Sequence, residues 1–299
     1  MPRDSWSGVV RAACLAGVLA LAPIAASAQQ PLASEPVLRA HALAAGASIK
    51  MFIASGTVQL VGWDRDSVVI RGRVPLPARL IVGGSSSAGY KIVVEQRDDG
   101  APVASHLSIY LPRTSQVSLK TVDAVTTAAN VGGWFYTVSG SMHLAGTATS
   151  IDAEAMSGDI DLDAATPWAR AKTGRGRLVI RGAPQDVDAS TITGTLEIAA
   201  ATIAHGRFTS VSGDIHYAAP MQQRSLFEFS NSSGAVDLLL PRDVSARFEL
   251  SSVEGAIDNG FTQLRPAAAG VHTLQLQLGS GSADVTVRTF RGNVRLRSR

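Results

Sequence analysis

Acidic and histidine side chains recur at one position of a repeated heptapeptide, where they could contact a cation or a sugar polymer. The segments MSGDIDL (156–162), VSGDIHY (211–217) and SSGAVDL (232–238) share a glycine at their third position. The residues three positions after this glycine and its equivalents are His143, Asp161, Val179, Glu197, His216, Asp237 and Asp258. The candidate binding residues are His143, Asp159, Asp161, Glu197, Asp214, His216, Asp237 and Asp258. Stacked, they would form an outer ladder; an ordinary solvated strand face is the favoured interpretation, and a strip that contacts a cation or a polysaccharide is the alternative.

Other kinds of chemistry have less support in the sequence. The six histidines show no metal-binding spacing, and the single cysteine, Cys14, lies near the N-terminus. We therefore predict no metal site, no cofactor and no enzymatic activity. Two carboxylates spaced as in Asp159/Asp161 or Asp186/Asp188 lie about 6.6–7 Å apart on a strand, near the separation in inverting glycosidases. A polysaccharide-active hydrolase or lyase built on a β-helix is therefore the alternative function.

The glycine is the fixed point of a repeat that organises the chain. We call these residues the marker glycines: Gly140, Gly158, Gly176, Gly194, Gly213, Gly234 and Gly255. Successive markers are 18, 18, 18, 19, 21 and 21 residues apart, and Gly56 opens a similar pattern near the N-terminus. Alternating apolar residues follow nearly every marker, and alternation with a period of two is typical of β-strands.

Units this short cannot bury an apolar face alone, whereas stacked copies can bury a continuous one. The repeat therefore predicts an all-β, single-chain β-solenoid with coils of about 18–21 residues. An antiparallel sandwich with glycine-containing hairpins is the alternative. In the solenoid, glycine is required where the chain turns sharply and a Cβ would meet backbone or need a positive φ.

The two ends of the chain differ from this regular part. Residues 1–28 have the features of a signal peptide: Arg3 and Arg11, an apolar run over 12–26, and small residues at 26–28. An uncleaved anchor is the alternative. We predict degenerate capping coils over 29–135 and regular coils over 136–299, together one continuous domain over 29–299. The arginine-bearing final strand is predicted to be an edge protected by its charge.

Several motifs resemble the putative-adhesin β-solenoid domain of bacterial envelope proteins, a domain of unknown function. They are VQLVGWDRDSVVIRG (58–72), the Leu-Pro-Arg turns, the SGDI-x-L segments and GSGSADVTVRTFRGNVRL (279–296). The resemblance implies an exported, non-enzymatic, all-β protein of the cell envelope with an adhesin-like binding or structural role.

The partner is left open by the sequence. Envelope polysaccharide or another envelope protein is predicted, and a protein-binding component of an envelope sensory system is a further alternative. With 27 Lys and Arg against 24 Asp and Glu, the net charge of +3 is too balanced to indicate nucleic acid. The location is predicted to be periplasmic, cell-surface or extracellular, with no transmembrane span after cleavage of the signal peptide.

Overall fold

A computed structural model describes residues 34–96, 100, 102–261 and 272–299, so the predicted signal peptide lies outside the described residues. The strands of the first half are β1 (Ser34–Ala42), β2 (Ser48–Trp63), β3 (Ser67–Pro75), β4 (Arg79–Ser85), β5 (Gly89–Glu95), β6 (Ser105–Pro112), β7 (Gln116–Ala129), β8 (Gly133–Thr137), β9 (Met142–Thr147), β10 (Ile151–Ala155) and β11 (Ile160–Thr173). Those of the second half are β12 (Leu178–Thr191), β13 (Leu196–Ile198), β14 (His205–Ser210), β15 (Ile215–Tyr217), β16 (Leu226–Asn231), β17 (Val236–Leu240), β18 (Ala246–Ser252), β19 (Ile257–Asn259), β20 (Thr273–Leu278), β21 (Ala283–Thr289) and β22 (Val294–Ser298).

Two series of hydrogen-bonded strands run through the molecule. Sheet 1 has the order β4, β5, β2, β7, β8, β10, β11, β12, β14, β16, β21, β18, β20. Sheet 2 has the order β1, β3, β6, β2, β7, β9, β11, β12, β13, β15, β17, β22, β19. The long strands β2, β7, β11 and β12 belong to both sheets. In β11, residues 160–165 pair with β9 in sheet 2, and residues 169–173 pair with β10 in sheet 1.

Parallel pairing in register identifies the architecture as a β-solenoid, as predicted. From β7 to β17 each strand pairs with parallel neighbours one coil away. Antiparallel pairs occur at the ends of the series, in β1 with β3, β3 with β6, β4 with β5 and β18 with β20. Residues 33–299 form one compact unit. The division at residue 135 stays a prediction.

The core lies between the two sheets and follows the alternation of the sequence. The first and third strand residues after the marker turns are nearly inaccessible, for example Ile160, Leu162, Leu196 and Ile198. Further along the stack, aromatic rings fill the core: Phe208 and Phe229 have centroids 5.1 Å apart, and Tyr217 packs edge-on to Phe229 at 5.4 Å. Hydrophobic burial of this continuous column is the main favourable term, because no coil has a core of its own.

The marker glycines are required by close approach between coils. A Cβ on Gly194 would collide with the carbonyl oxygen of Gly176, and one on Gly213 would collide with that of Gly194. The same relation links Gly140 to Ala124, which stands at the equivalent position of the preceding coil. Gly56 belongs to this column too, since it is in register with Ala124. Except at Ala124, glycine thus recurs once per coil because the turns stack with little room for a side chain.

The last coils are not stacked in chain order, and this differs from the sequence prediction. β21 pairs with β16 and β18, and β22 pairs with β17 and β19, so the C-terminal strands lie between two earlier coils. Gly255 consequently stacks on Gly292, which stacks on Gly234. The prediction that the arginine-bearing final strand is an edge is wrong, because β22 has a strand on each side. Its alternating Val294 and Leu296 are buried and complete the core there.

Candidate binding surface

The predicted outer ladder is a physical column on the outer face of sheet 2. His143, Asp161 and Val179 are in register on β9, β11 and β12. Glu197, His216 and Asp237 continue the column on β13, β15 and β17. Arg295 follows on β22, and Asp258 is beyond it on β19. The structure therefore brings together the residues at this repeat position, with one arginine inserted among them.

The carboxylates of Asp161, Glu197 and Asp237 in this column each have a partner. Asp161 forms an ion pair with Arg181 and lies 3.4 Å from Nδ1 of His143. Asp237 lies 3.3 Å from Nδ1 of His216 and 3.3 Å from Nη1 of Arg295. Acidic and basic groups thus alternate along the stack, and the carboxylates are held by neighbours from other coils.

Glu197 has the best-defined partner. Its two carboxylate oxygens accept hydrogen bonds from Nε and Nη2 of Arg177 at 2.7 and 2.5 Å. This fork-shaped pair lowers the pKa of Glu197 and raises that of Arg177, because each group stabilises the charged form of the other. Both side chains remain partly exposed, so the pair contributes little to stability.

Asp159 and Asp214 lie outside the column and have a different role. Oδ1 of Asp159 accepts a hydrogen bond from the backbone N–H of Arg177 at 2.7 Å, one coil away. Oδ1 of Asp214 does the same for Ala235 at 2.8 Å. Asn293 repeats this contact with Ala256 at 2.9 Å. A polar residue directly after a marker glycine therefore bonds the turn of the next coil.

A buried polar residue three positions before the glycine was missed by the sequence analysis. The N–H groups of Gly140 and Gly194 donate to the hydroxyls of Thr137 and Thr191 at 3.0 and 2.9 Å. Asn231 accepts from Gly234 and donates to the carbonyl of Gly213 at 2.9 Å. The pattern was visible as TVSG, TITG, NSSG and SVEG, and TFRG (289–292) contains Gly292, an unrecognised marker.

The described residues do not form a cluster of three or more potential metal ligands. They also do not form a helix that could cross a membrane. The sequence suggested two carboxylate pairs for glycoside hydrolysis. In the first pair, Asp159 bonds the backbone N–H of Arg177 and Asp161 pairs with Arg181. In the second, Asp186 lies 2.6 Å from Nδ1 of His205. The geometry therefore places Asp159, Asp161 and Asp186 in structural contacts.

A shallow groove of about 810 Å³ follows the turns that contain the marker glycines. Its lining includes exposed Met156, Ile192 and Val211. Glu154 is the one acidic residue among the lining residues, so two carboxylates do not converge there. The groove is a largely apolar surface feature.

Comparison with protein families agrees with this architecture. The model of the Toastrack family (DUF4097) matches residues 105–297, more than half of the sequence, and the chain belongs to this family. The predicted resemblance to the putative-adhesin domain is thereby confirmed. No curated protein is significantly similar to the chain.

Several solved structures are similar to this chain at low sequence identity. A putative adhesin from Bacteroides fragilis is 10% identical, with a TM-score of 0.47 over 88% of this chain and 97% of that one. A putative lipid binding protein from Parabacteroides distasonis is 10% identical, with a TM-score of 0.38 over 87% and 96%. A putative cell adhesion protein from Clostridium sporogenes is 10% identical, with a TM-score of 0.26 over 89% and 100%. Similarities this distant do not assign a ligand to this chain.

Proposed function

We propose that this protein is a non-enzymatic, adhesin-like binding module that is exported to the bacterial cell envelope and contacts an extended polymer. The observation that carries the proposal is the in-register column of sheet 2, from His143 on β9 to Asp237 on β17. Apart from Val179 on β12, a polar residue occupies this position at each strand spacing, about 4.8 Å. A surface with such a repeat suits a ligand that itself repeats, and envelope polysaccharide is the first candidate.

The charge pairing supports binding over hydrolysis. A glycosidase needs one carboxylic acid and one free carboxylate across a glycosidic bond. Asp161 is instead ion-paired with Arg181 and lies beside His143, and Asp186 lies within hydrogen-bond distance of His205. Paired groups of both signs offer hydrogen-bond donors and acceptors to sugar hydroxyls without a catalytic pair.

The test measures binding and cleavage together. The purified protein would be titrated calorimetrically with soluble envelope polysaccharides and peptidoglycan fragments, and each mixture assayed for new reducing ends. We expect saturable binding without cleavage. New reducing ends would support the hydrolase alternative. Absence of polysaccharide binding, with specific capture of an envelope protein, would favour the sensory alternative.

A variant decides whether the sheet 2 column takes part in binding. Asp161→Asn, Glu197→Gln and Asp237→Asn together remove three carboxylates while keeping side-chain shape. Asp284→Asn, which removes an exposed ion pair with Arg247 on sheet 1, is the control. Selective loss of binding in the triple variant would assign the contact to the column. Retained binding would move the contact to another outer surface.

A further inference from the structure

The lysines of this chain are gathered on one surface. The sequence has four of them, Lys50, Lys91, Lys120 and Lys172, against many more arginines. Lys50 and Lys91 are opposite each other on β2 and β5. Lys120 is opposite Phe52 and Tyr136, and Lys172 is opposite Glu154, all on the outer face of sheet 1.

Aromatic side chains lie beside three of these lysines. The rings of Trp134 and Tyr136 on β8 are nearly parallel, with centroids 5.6 Å apart and an interplanar angle of 18°. Nζ of Lys120 lies 5.5 Å from the Tyr136 centroid. Phe52 is 37% exposed on β2. We call Lys50, Phe52, Lys91, Lys120, Trp134 and Tyr136 the aromatic–lysine face.

The positive charge of this face is unbalanced. None of the four lysines forms an ion pair with another residue that the structure describes. Glu95 is the one acidic residue in the described sheet 1 segments of β4, β5, β2, β7 and β8. It is bonded to Nε and Nη2 of Arg79 at 2.8 and 2.6 Å. The next acids, Asp152 and Glu154, lie on β10, beyond the aromatic pair.

The opposite half of sheet 1 shows the contrasting arrangement. Arg207 and Arg288 both pair with Glu228, at 3.1 and 3.7 Å, and Arg247 pairs with Asp284 at 3.2 Å. Like charges directly opposite each other on neighbouring strands destabilise a sheet. Lys50 and Lys91 are such a pair, with no acidic residue between them. An anionic ligand would reduce the repulsion between their ammonium groups. Departures from local charge matching are expected at functional sites.

We propose that the aromatic–lysine face binds an acidic polysaccharide. The Trp134 and Tyr136 rings stack on sugar rings, while Lys50, Lys91 and Lys120 bond the acidic groups of successive sugars. Amphipathic aromatic rings bury apolar surface at little entropic cost, and ammonium groups form strong hydrogen bonds to carboxylates. This inference rests on the proposed polymer-binding function, names the ligand class, and adds a second contact surface on sheet 1. A nucleic acid is less favoured because the whole chain is nearly neutral.

The experiment compares an acidic polymer with its neutral counterpart. Oligogalacturonate and the same oligomer with reduced carboxyl groups would be titrated into the purified protein at two salt concentrations. The test variant is Lys50→Gln, Lys91→Gln and Lys120→Gln together. The matched control, Arg207→Gln, Arg247→Gln and Arg288→Gln, removes three cations from the same outer face where each is already paired with an acid.

We expect oligogalacturonate to bind more tightly than the reduced oligomer, with affinity falling as salt rises. The lysine variant should lose at least about tenfold in affinity, because three charge-assisted contacts are removed. The arginine control should bind like the original protein. Oligogalacturonate should also raise the melting temperature of the original protein but not of the lysine variant. A cooperative melting transition of the lysine variant without ligand checks that it is folded.

The outcomes separate this inference from the proposed function. Equal binding of acidic and neutral oligomers, unchanged in the lysine variant, would overturn the inference and leave polymer binding intact. Failure of every polysaccharide to bind would overturn both. Tighter binding of single-stranded DNA or of a polyglutamate peptide than of any glycan would overturn the assignment to polysaccharide.

Discussion

At the scale of single residues, the turn preceding several marker glycines depends on a buried polar side chain. Thr191 is 3% exposed, and its hydroxyl accepts from the N–H of Gly194 at 2.9 Å. Ser252 does the same for Gly255 at 2.9 Å. A buried N–H without a partner costs free energy, so this side chain stabilises the turn in the coils that have it.

Replacing Thr191 by Val should lower the free energy of unfolding by about 1–3 kcal/mol, because the shape is kept while the Gly194 N–H loses its acceptor. Thermal and urea denaturation would measure the loss. Thr193→Val is the control, since its exposed hydroxyl makes only a 3.4 Å contact with the Gly174 carbonyl. The free energy of unfolding of the Thr193→Val variant should stay within about 0.5 kcal/mol of that of the original protein. Equal effects of the two substitutions would contradict this role of the buried hydroxyl.

At the scale of elements, the position of the C-terminal strands determines the order of the last coils. β22 pairs with β17 through Asp237 and Arg295, and with β19 through Arg295 and Asp258. A stack in chain order would instead place β17 directly beside β19. The two arrangements predict different neighbours for Asp237.

Engineered disulfides distinguish the two arrangements. In a background where Cys14 is replaced by Ser, Asp237→Cys with Arg295→Cys should cross-link on oxidation, because adjacent strands are about 4.8 Å apart. Asp237→Cys with Asp258→Cys should remain reduced, since two strand spacings exceed the roughly 7 Å limit between Cα atoms. Mass spectrometry of peptides from oxidised protein would show which pair forms. Cross-linking of only the second pair would support stacking in chain order.

At the scale of the whole molecule, one continuous core connects the coils. Tyr217 lies within it, 1% exposed, and its hydroxyl donates to the carbonyl of Pro220 at 3.3 Å. Burial raises the pKa of Tyr217 far above its ordinary value of 10.0. The folded state thus favours the protonated phenol, so the associated stability is complete below pH 10 and is lost as the pH rises further.

Ionisation of Tyr217 should therefore accompany alkaline unfolding. Ultraviolet difference spectra of the original protein and of Tyr217→Phe would be recorded against pH, with circular dichroism reporting unfolding. The extra tyrosinate signal of the original protein should appear only within its unfolding transition. Ionisation while the β signal is intact would show that Tyr217 reaches solvent in the folded protein.

Much of the fold could be predicted because its determinants are local. Alternation marks the buried residues, as Ile160 and Leu162 show, and the spacing of the glycines sets the coil length. The in-register outer column follows from the same spacing. The acceptor at Thr191 was equally local, since it stands three residues before Gly194 in the chain, but alternation of apolar residues does not mark it.

By itself, the sequence determined that this is a stacked all-β chain, which residues face inward, and where a glycine must stand. These features repeat with a short period, so the sequence of each coil contains the same pattern. Only the tertiary structure decided the order of the last coils, the pairing of Asp161 with Arg181, and the gathering of Lys50, Lys91 and Lys120 on one face. Each of those depends on which coil lies beside which, and contacts between coils join residues that are distant in the chain.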